Sequence, residues 1–184
     1  NLSEPDSNSP QNPHFSDTLI STVRSVELRE LLYDFQANTG GNGNEQSGNH
    51  STIVRMVVEE GNLPLFKNLQ EVSADIYQQD SHGNTIIHIA ARKGYANIIH
   101  AMNLSHPALN AGGTYGFTPV HYAAQGGHVE VIEALHALGA SLEIQDSSGN
   151  TPLHVAVEAG QLESVKTLIG KEVNTELENE SGHT

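Results

Sequence analysis

Histidine is the residue whose type and spacing most suggest chemistry in this chain. His88, His121 and His154 recur at a step of 33 residues, among eleven histidines in all. A row of imidazoles could hold a metal ion or move a proton. Two imidazoles sharing a zinc ion need their nitrogens within about 3–4 Å of each other, because each Zn–N bond is about 2 Å. Neighbouring helices pack about 8–10 Å apart, so equivalent histidines on successive helices cannot converge on one ion. The chain has no Cys, and no clustered carboxylates complete a site. The expectation is that each His bonds backbone at a repeat junction and that no metal is held.

Other chemistry has little footing. There is no G-x-S-x-G motif and no thiol nucleophile. The glycine-rich stretch "NTGGNGN" (38–44) has no Lys after it and no strand before it, so it reads as a linker rather than a phosphate cradle. No catalytic residue and no cofactor is expected. Eight Lys+Arg stand against 22 Asp+Glu, a formal net charge of −14, with no basic run. Such a surface repels nucleic acid and anionic membranes. No apolar stretch is long enough to span a bilayer and no signal peptide is visible, so an intracellular location is expected.

The elements that position the histidines repeat with them. Gly83, Gly116, Gly149 and Gly182 share the 33-residue step, as do Thr85, Thr118, Thr151 and Thr184. Ala90, Ala123 and Ala156 follow it, and so do Gly94, Gly127 and Gly160. Residues 49–69 fit more loosely, with Thr52 in register and Arg55 in the His position. A fixed period of this length is the signature of a solenoid. Within each copy, Thr118 can cap a helix and Pro119 then occupies its first position, where a missing N–H is harmless. Ala123 and Ala124 allow close helix approach, and Gly127 ends the helix. Val129, Ile132 and Leu135 mark one face of a second helix. Such a pair cannot bury its apolar face alone, so copies must stack.

Thr118-Pro119-Val120-His121-Tyr122-Ala123 and Thr151-Pro152-Leu153-His154-Val155-Ala156 closely resemble the T-P-L-H-x-A signature of ankyrin repeats. Thr85-Ile86-Ile87-His88-Ile89-Ala90 lacks only the Pro. The resemblance implies an all-α ankyrin-repeat solenoid, built of helix-turn-helix repeats with β-hairpin-like loops. The repeat domain covers 47–184: a degenerate repeat 47–79, repeats 80–112, 113–145 and 146–178, and a truncated repeat 179–184 from which the chain is expected to continue. Loops at His106-Pro107 and at Lys171-Glu172-Val173 depart from the usual Gly-Ala, and a different shape is expected there. Residues 1–46 form an N-terminal region. It comprises an unstructured segment (1–15), a helix at about 18–37, and most of a Gly/Asn-rich linker (38–51) that runs on into the degenerate repeat. Leu28, Leu31, Leu32 and Phe35 are expected to pack near Ile53 and Val57.

The resemblance also implies a function: binding a protein partner through a concave face, as scaffold, adaptor or inhibitor, without catalysis. The alternative is a targeting module of a larger enzyme or bacterial effector whose catalytic region lies elsewhere. In ankyrin proteins the residues flanking the hairpin glycines and those ending the first helix line the concave face. Here these include His82, Asn84, Arg92, Lys93, Tyr115, Phe117, Gln125, Ser148, Asn150 and Glu158, with Glu59 and Glu60 from the degenerate repeat. Tyr115 and Phe117 stand out in a chain that is 5% aromatic. They read as interface anchors, unless Phe117 covers its own hairpin. Arg92-Lys93 is the only adjacent basic pair. A monomer recognising an acidic and apolar partner segment is expected.

Overall fold

The computed structural model describes residues 16–37, 46–72, 78–102 and 106–184. The expected unstructured segment 1–15 and positions 38–45 of the expected linker lie outside them. Among the described residues the chain is helical and contains no strand.

The expected N-terminal helix is two helices, α1 (Asp17–Ser21) and α2 (Val26–Ala37). Local hydroxyls cause the break. Ser16 Oγ accepts from Leu19 N at 3.3 Å and caps the start of α1. Ser21 Oγ and Thr22 Oγ1 each donate to a carbonyl three residues back, both at 2.6 Å, which closes its last turn. Ser25 Oγ then accepts from Leu28 N to begin α2. The Glu60 carboxylate accepts from the amides of Arg24 (3.1 Å) and Ser25 (2.7 Å), fixing the corner from the far side. Beyond the corner the expectation holds: Leu28 and Leu32 are fully buried in one core with Ile53 and Val57, and Leu31 packs at its edge. The side chain of Phe35 lies outside the described residues.

The first repeat is α3 (Gln46–Glu60) and α4 (Leu63–Val72). Positions 46–51, expected as linker, are therefore the opening turns of α3. The next pair is α5 (Ile86–Lys93) and α6 (Ala96–Ala101), followed by the short α7 (His106–Leu109), which carries the departure at His106-Pro107. Then come α8 (Pro119–Gly126) with α9 (Val129–Ala137), and α10 (Pro152–Glu158) with α11 (Leu162–Gly170). First helices pack on first helices, α3 on α5 on α8 on α10, and second helices form the other layer. Val54, Ile87 and Val120 occupy one register and are all buried between copies. Ala90, Ala91, Ala123 and Ala124 are buried where the helices approach.

Glycine ends the first helices. Gly94 (φ 80°) and Gly127 (φ 73°) are the C-caps of α5 and α8, and Gly160 (φ 68°) follows the end of α10 by one residue beyond its cap, Ala159. The 171–173 loop corrects an expectation in part. Glu172 adopts φ 58° at the register of Gly139 (φ 95°). Its amide bonds the Ile169 carbonyl, as that of Gly139 bonds His136. The turn keeps this bond and a positive φ despite the missing glycine, although the bond from Ala140 N to Leu135 O in the earlier turn has no counterpart at Val173 among the described residues.

The two ends of the stack differ. Ile20, Val23, Leu28 and Leu32 of the N-terminal segment join the core at the first repeat. At the other end Leu153, Val157, Val165 and Ile169 line an open groove of about 660 Å³.

Candidate protein-binding face

The hairpins between helix pairs are built by one side chain each. Asp80 Oδ1 accepts from the amides of His82 and Asn84, at 2.9 and 2.8 Å. Asp146 does the same for Ser148 and Asn150, and Asn179 for Ser181 and His183. Partial burial pulls the Asp80 carboxyl upward. The Asn84 and His82 amides and the Arg55 guanidinium outweigh it and leave the group below its ordinary value. The second hairpin in chain order is the exception and has Gly113 instead. A Cβ there would run into Asn84 Oδ1, which already accepts from Thr114 N at 3.1 Å. The tips are tied together by backbone: Ser147 N donates to Tyr115 O, and Glu180 N to Ser148 O.

The histidine row lies beneath these tips. Nδ1 of His88, His121 and His154 accepts from the amides of Thr85, Thr118 and Thr151 at 3.0–3.1 Å. Nε2 meets the carbonyl of Ala111, Asn150 or His183 in the next hairpin at 2.9–3.0 Å. A carbonyl only accepts, so Nε2 carries the proton and each ring is the neutral tautomer that this geometry assigns. Burial lowers the pKa of His88 and His121, against the raising effect of those carbonyls. Both nitrogens are thus engaged, Nδ1 within its own repeat and Nε2 in joining one copy to the next. No group of three His, Asp or Glu among the described residues is placed to hold a metal ion.

Arg55, in the His position of the degenerate repeat, does the same work. Its Nη2 donates to Asn84 O at 3.1 Å, 29 residues ahead, as His121 and His154 donate to carbonyls 29 residues ahead. Its Nη1 pairs with Asp80 at 3.3 Å. This role was not read from the sequence; the 33-residue register of Arg55 was the available signal.

The proposed binding residues divide into two sets. His82, Arg92, Lys93, Tyr115, Gln125, Ser148 and Glu158 are exposed, Tyr115 at 79%. Asn84, Asn150 and Phe117 are only partly exposed and are engaged inside the fold. Asn84 bonds Thr114 Oγ1 and Tyr122 Oη, and Asn150 bonds Asn179 and Asp146. Phe117 follows the alternative stated for it, packing within its own repeat. Its ring stacks on His121 (centroids 5.2 Å) and meets the edge of Tyr122 (5.3 Å), so packing explains the apolar residue at that tip. Glu60 is likewise engaged, at the α1–α2 corner. Glu59, Asn84 and Arg92 line one polar recess of about 130 Å³ with Arg55, His88 and Tyr122. Arg92 and Lys93 also end α5, where exposed carbonyls favour cations.

The family profile for ankyrin repeats (3 copies) matches residues 54–146 and 100–179. The chain belongs to the ankyrin-repeat family. Ankyrin repeats are in general protein-interaction modules, so a protein partner follows from membership. A search of curated proteins found no match. No helix among the described residues is long and apolar enough to cross a membrane.

Proposed function

We propose that this ankyrin-repeat chain is an intracellular recognition module. It binds a protein segment across the hairpin tips and first-helix ends, as scaffold, adaptor or inhibitor, without catalysing a reaction. The observation that carries the reading is Tyr115. Its side chain is 79% exposed on a tip whose backbone is held by the bond from Ser147 N to Tyr115 O. A rigidly presented tyrosine offers large contact area at small entropic cost. Arg92 and Lys93 are exposed one repeat earlier and have no ion-pair partner among the described residues. An apolar anchor followed by Asp or Glu in the partner suits that pairing.

The test is affinity capture and cross-linking with the wild-type chain and Tyr115→Ala. Loss of on the order of 2 kcal/mol of affinity with an unchanged melting curve is the expected result. A partner held equally well by both proteins, and cross-linked elsewhere, would count against this face.

A further inference from the structure

Glu59, Arg92, Gln125 and Glu158 stand at one register, each 33 residues after the last. All four are exposed, and none of their side chains has a partner among the described residues. The backbones of the first three are held by a second ladder. Tyr95 Oη donates to Glu59 O (3.4 Å), His128 Nε2 to Arg92 O (3.0 Å) and Gln161 Nε2 to Gln125 O (3.2 Å). Each donor lies 36 residues after its acceptor, in the following repeat. The spacing of the row is thereby fixed by the same contacts that stack the copies. Its charges run acid, base, neutral, acid.

We infer that this row reads charge order along a partner segment, and that the partner presents base, acid, polar and base at matching intervals. The inference rests on the recognition reading above and specifies its partner. Helix layers repeat about every 10 Å, and a segment in the polyproline-II conformation rises about 3.1 Å per residue with about three residues per turn, so every third partner side chain returns to the row. The sequence acid–base–neutral–acid is not its own reverse, so it also sets the direction in which the segment lies. Like charges placed opposite each other disfavour wrong registers, which is the part that charge plays in specificity. Lys or Arg opposite Glu59 and Glu158 suits a chain of net charge −14, while the acid is placed by Arg92 alone.

The probes are two labelled synthetic peptides of identical composition with Gly/Ser spacers: Lys-x-x-Asp-x-x-Ser-x-x-Lys and Asp-x-x-Lys-x-x-Ser-x-x-Lys. Both are also made in reversed order. Binding to the full chain is read by fluorescence anisotropy at low salt, with amide chemical-shift mapping in the same titration. The first order, in one direction, should bind about tenfold tighter than the second. The double variant Glu59→Lys/Arg92→Glu should reverse that preference, an outcome that a loss of folding cannot imitate. Equal affinities with shifts on the row would overturn the charge order and leave the recognition face standing. Shifts confined to other surfaces would overturn both readings. No measurable binding of the first peptide in either direction would also overturn the charge order.

Discussion

Tyr115 and Phe117 lie two residues apart on one tip, yet they carry different burdens. Phe117 is partly buried against His121 and Tyr122, whereas the Tyr115 ring projects into solvent. Phe117→Ala should therefore lose about 1–2 kcal/mol of stability, less than a fully buried Phe would, while Tyr115→Ala should stay within about 0.5 kcal/mol of wild type. Urea titrations of both variants check this; equal losses would mean the tip rearranges. Glu172 supplies a second prediction. It holds φ 58° where the equivalent residue is Gly139, so Glu172→Gly should be neutral or stabilising by up to about 1 kcal/mol in the same titration. A clear loss of stability would show that the Glu172 side chain makes a contact worth more than the strain. At this scale the histidines were legible, because a repeated Thr-x-x-His brings its own cap and its own carbonyl with each copy. Phe117 was not, since its partners lie four and five residues along a helix whose facing only the fold reveals.

Helix by helix, the weakest core position is in α11. Ser164 is fully buried, and its hydroxyl has no partner among the described residues. The equivalent positions in earlier copies are Leu65, Ile98 and Val131, all fully buried. Replacing an unpaired hydroxyl with an apolar group of similar shape removes a desolvation cost and adds buried surface. Ser164→Val should accordingly stabilise the chain by about 1–2 kcal/mol, read as a higher urea midpoint. A lower midpoint would reveal a partner for Oγ. At the opposite end, Leu32→Ala should cost about 2–4 kcal/mol, because Leu32 of α2 is fully buried in the core that includes Ile53 and Val57. An unchanged midpoint would detach α2 from the stack. The helix pairs and their glycine stops were legible because each is specified within about twenty residues. The break between α1 and α2 was not. Apolar spacing runs through it, and the carboxylate that holds the corner, Glu60, is 35 residues away from Ser25.

Across the whole molecule, every junction between the later copies passes through a neutral histidine. His88 and His121 have their pKa lowered, by burial first, while the Ala111 and Phe117 carbonyls and Asp80 around His88, and the Asn150 carbonyl and Asp146 around His121, pull the other way. In both, Nδ1 is occupied by a threonine amide, so a proton arriving there would face an N–H donor. As pH falls through 6.5, the ordinary value for His, the unfolded chain takes up protons that the folded chain excludes. Stability contributed by the neutral rings is complete above that pH and declines below it, down to the lowered folded values. Asp80 acts in a separate window: its carboxyl is lowered from 3.8, so its contribution is lost only as pH falls further through the lowered folded value. Because a solenoid's stability is shared through nearest-neighbour interfaces, weakening these junctions should lower cooperative unfolding of the stack. Urea midpoints measured at steps from pH 7.5 to 4.5 should be flat above pH 6.5 and fall below it. His121→Gln should be less stable at pH 7.5 and show a shallower fall. If that variant kept the full wild-type slope, the acid sensitivity would belong to other groups and not to the histidine that joins its repeat to the next.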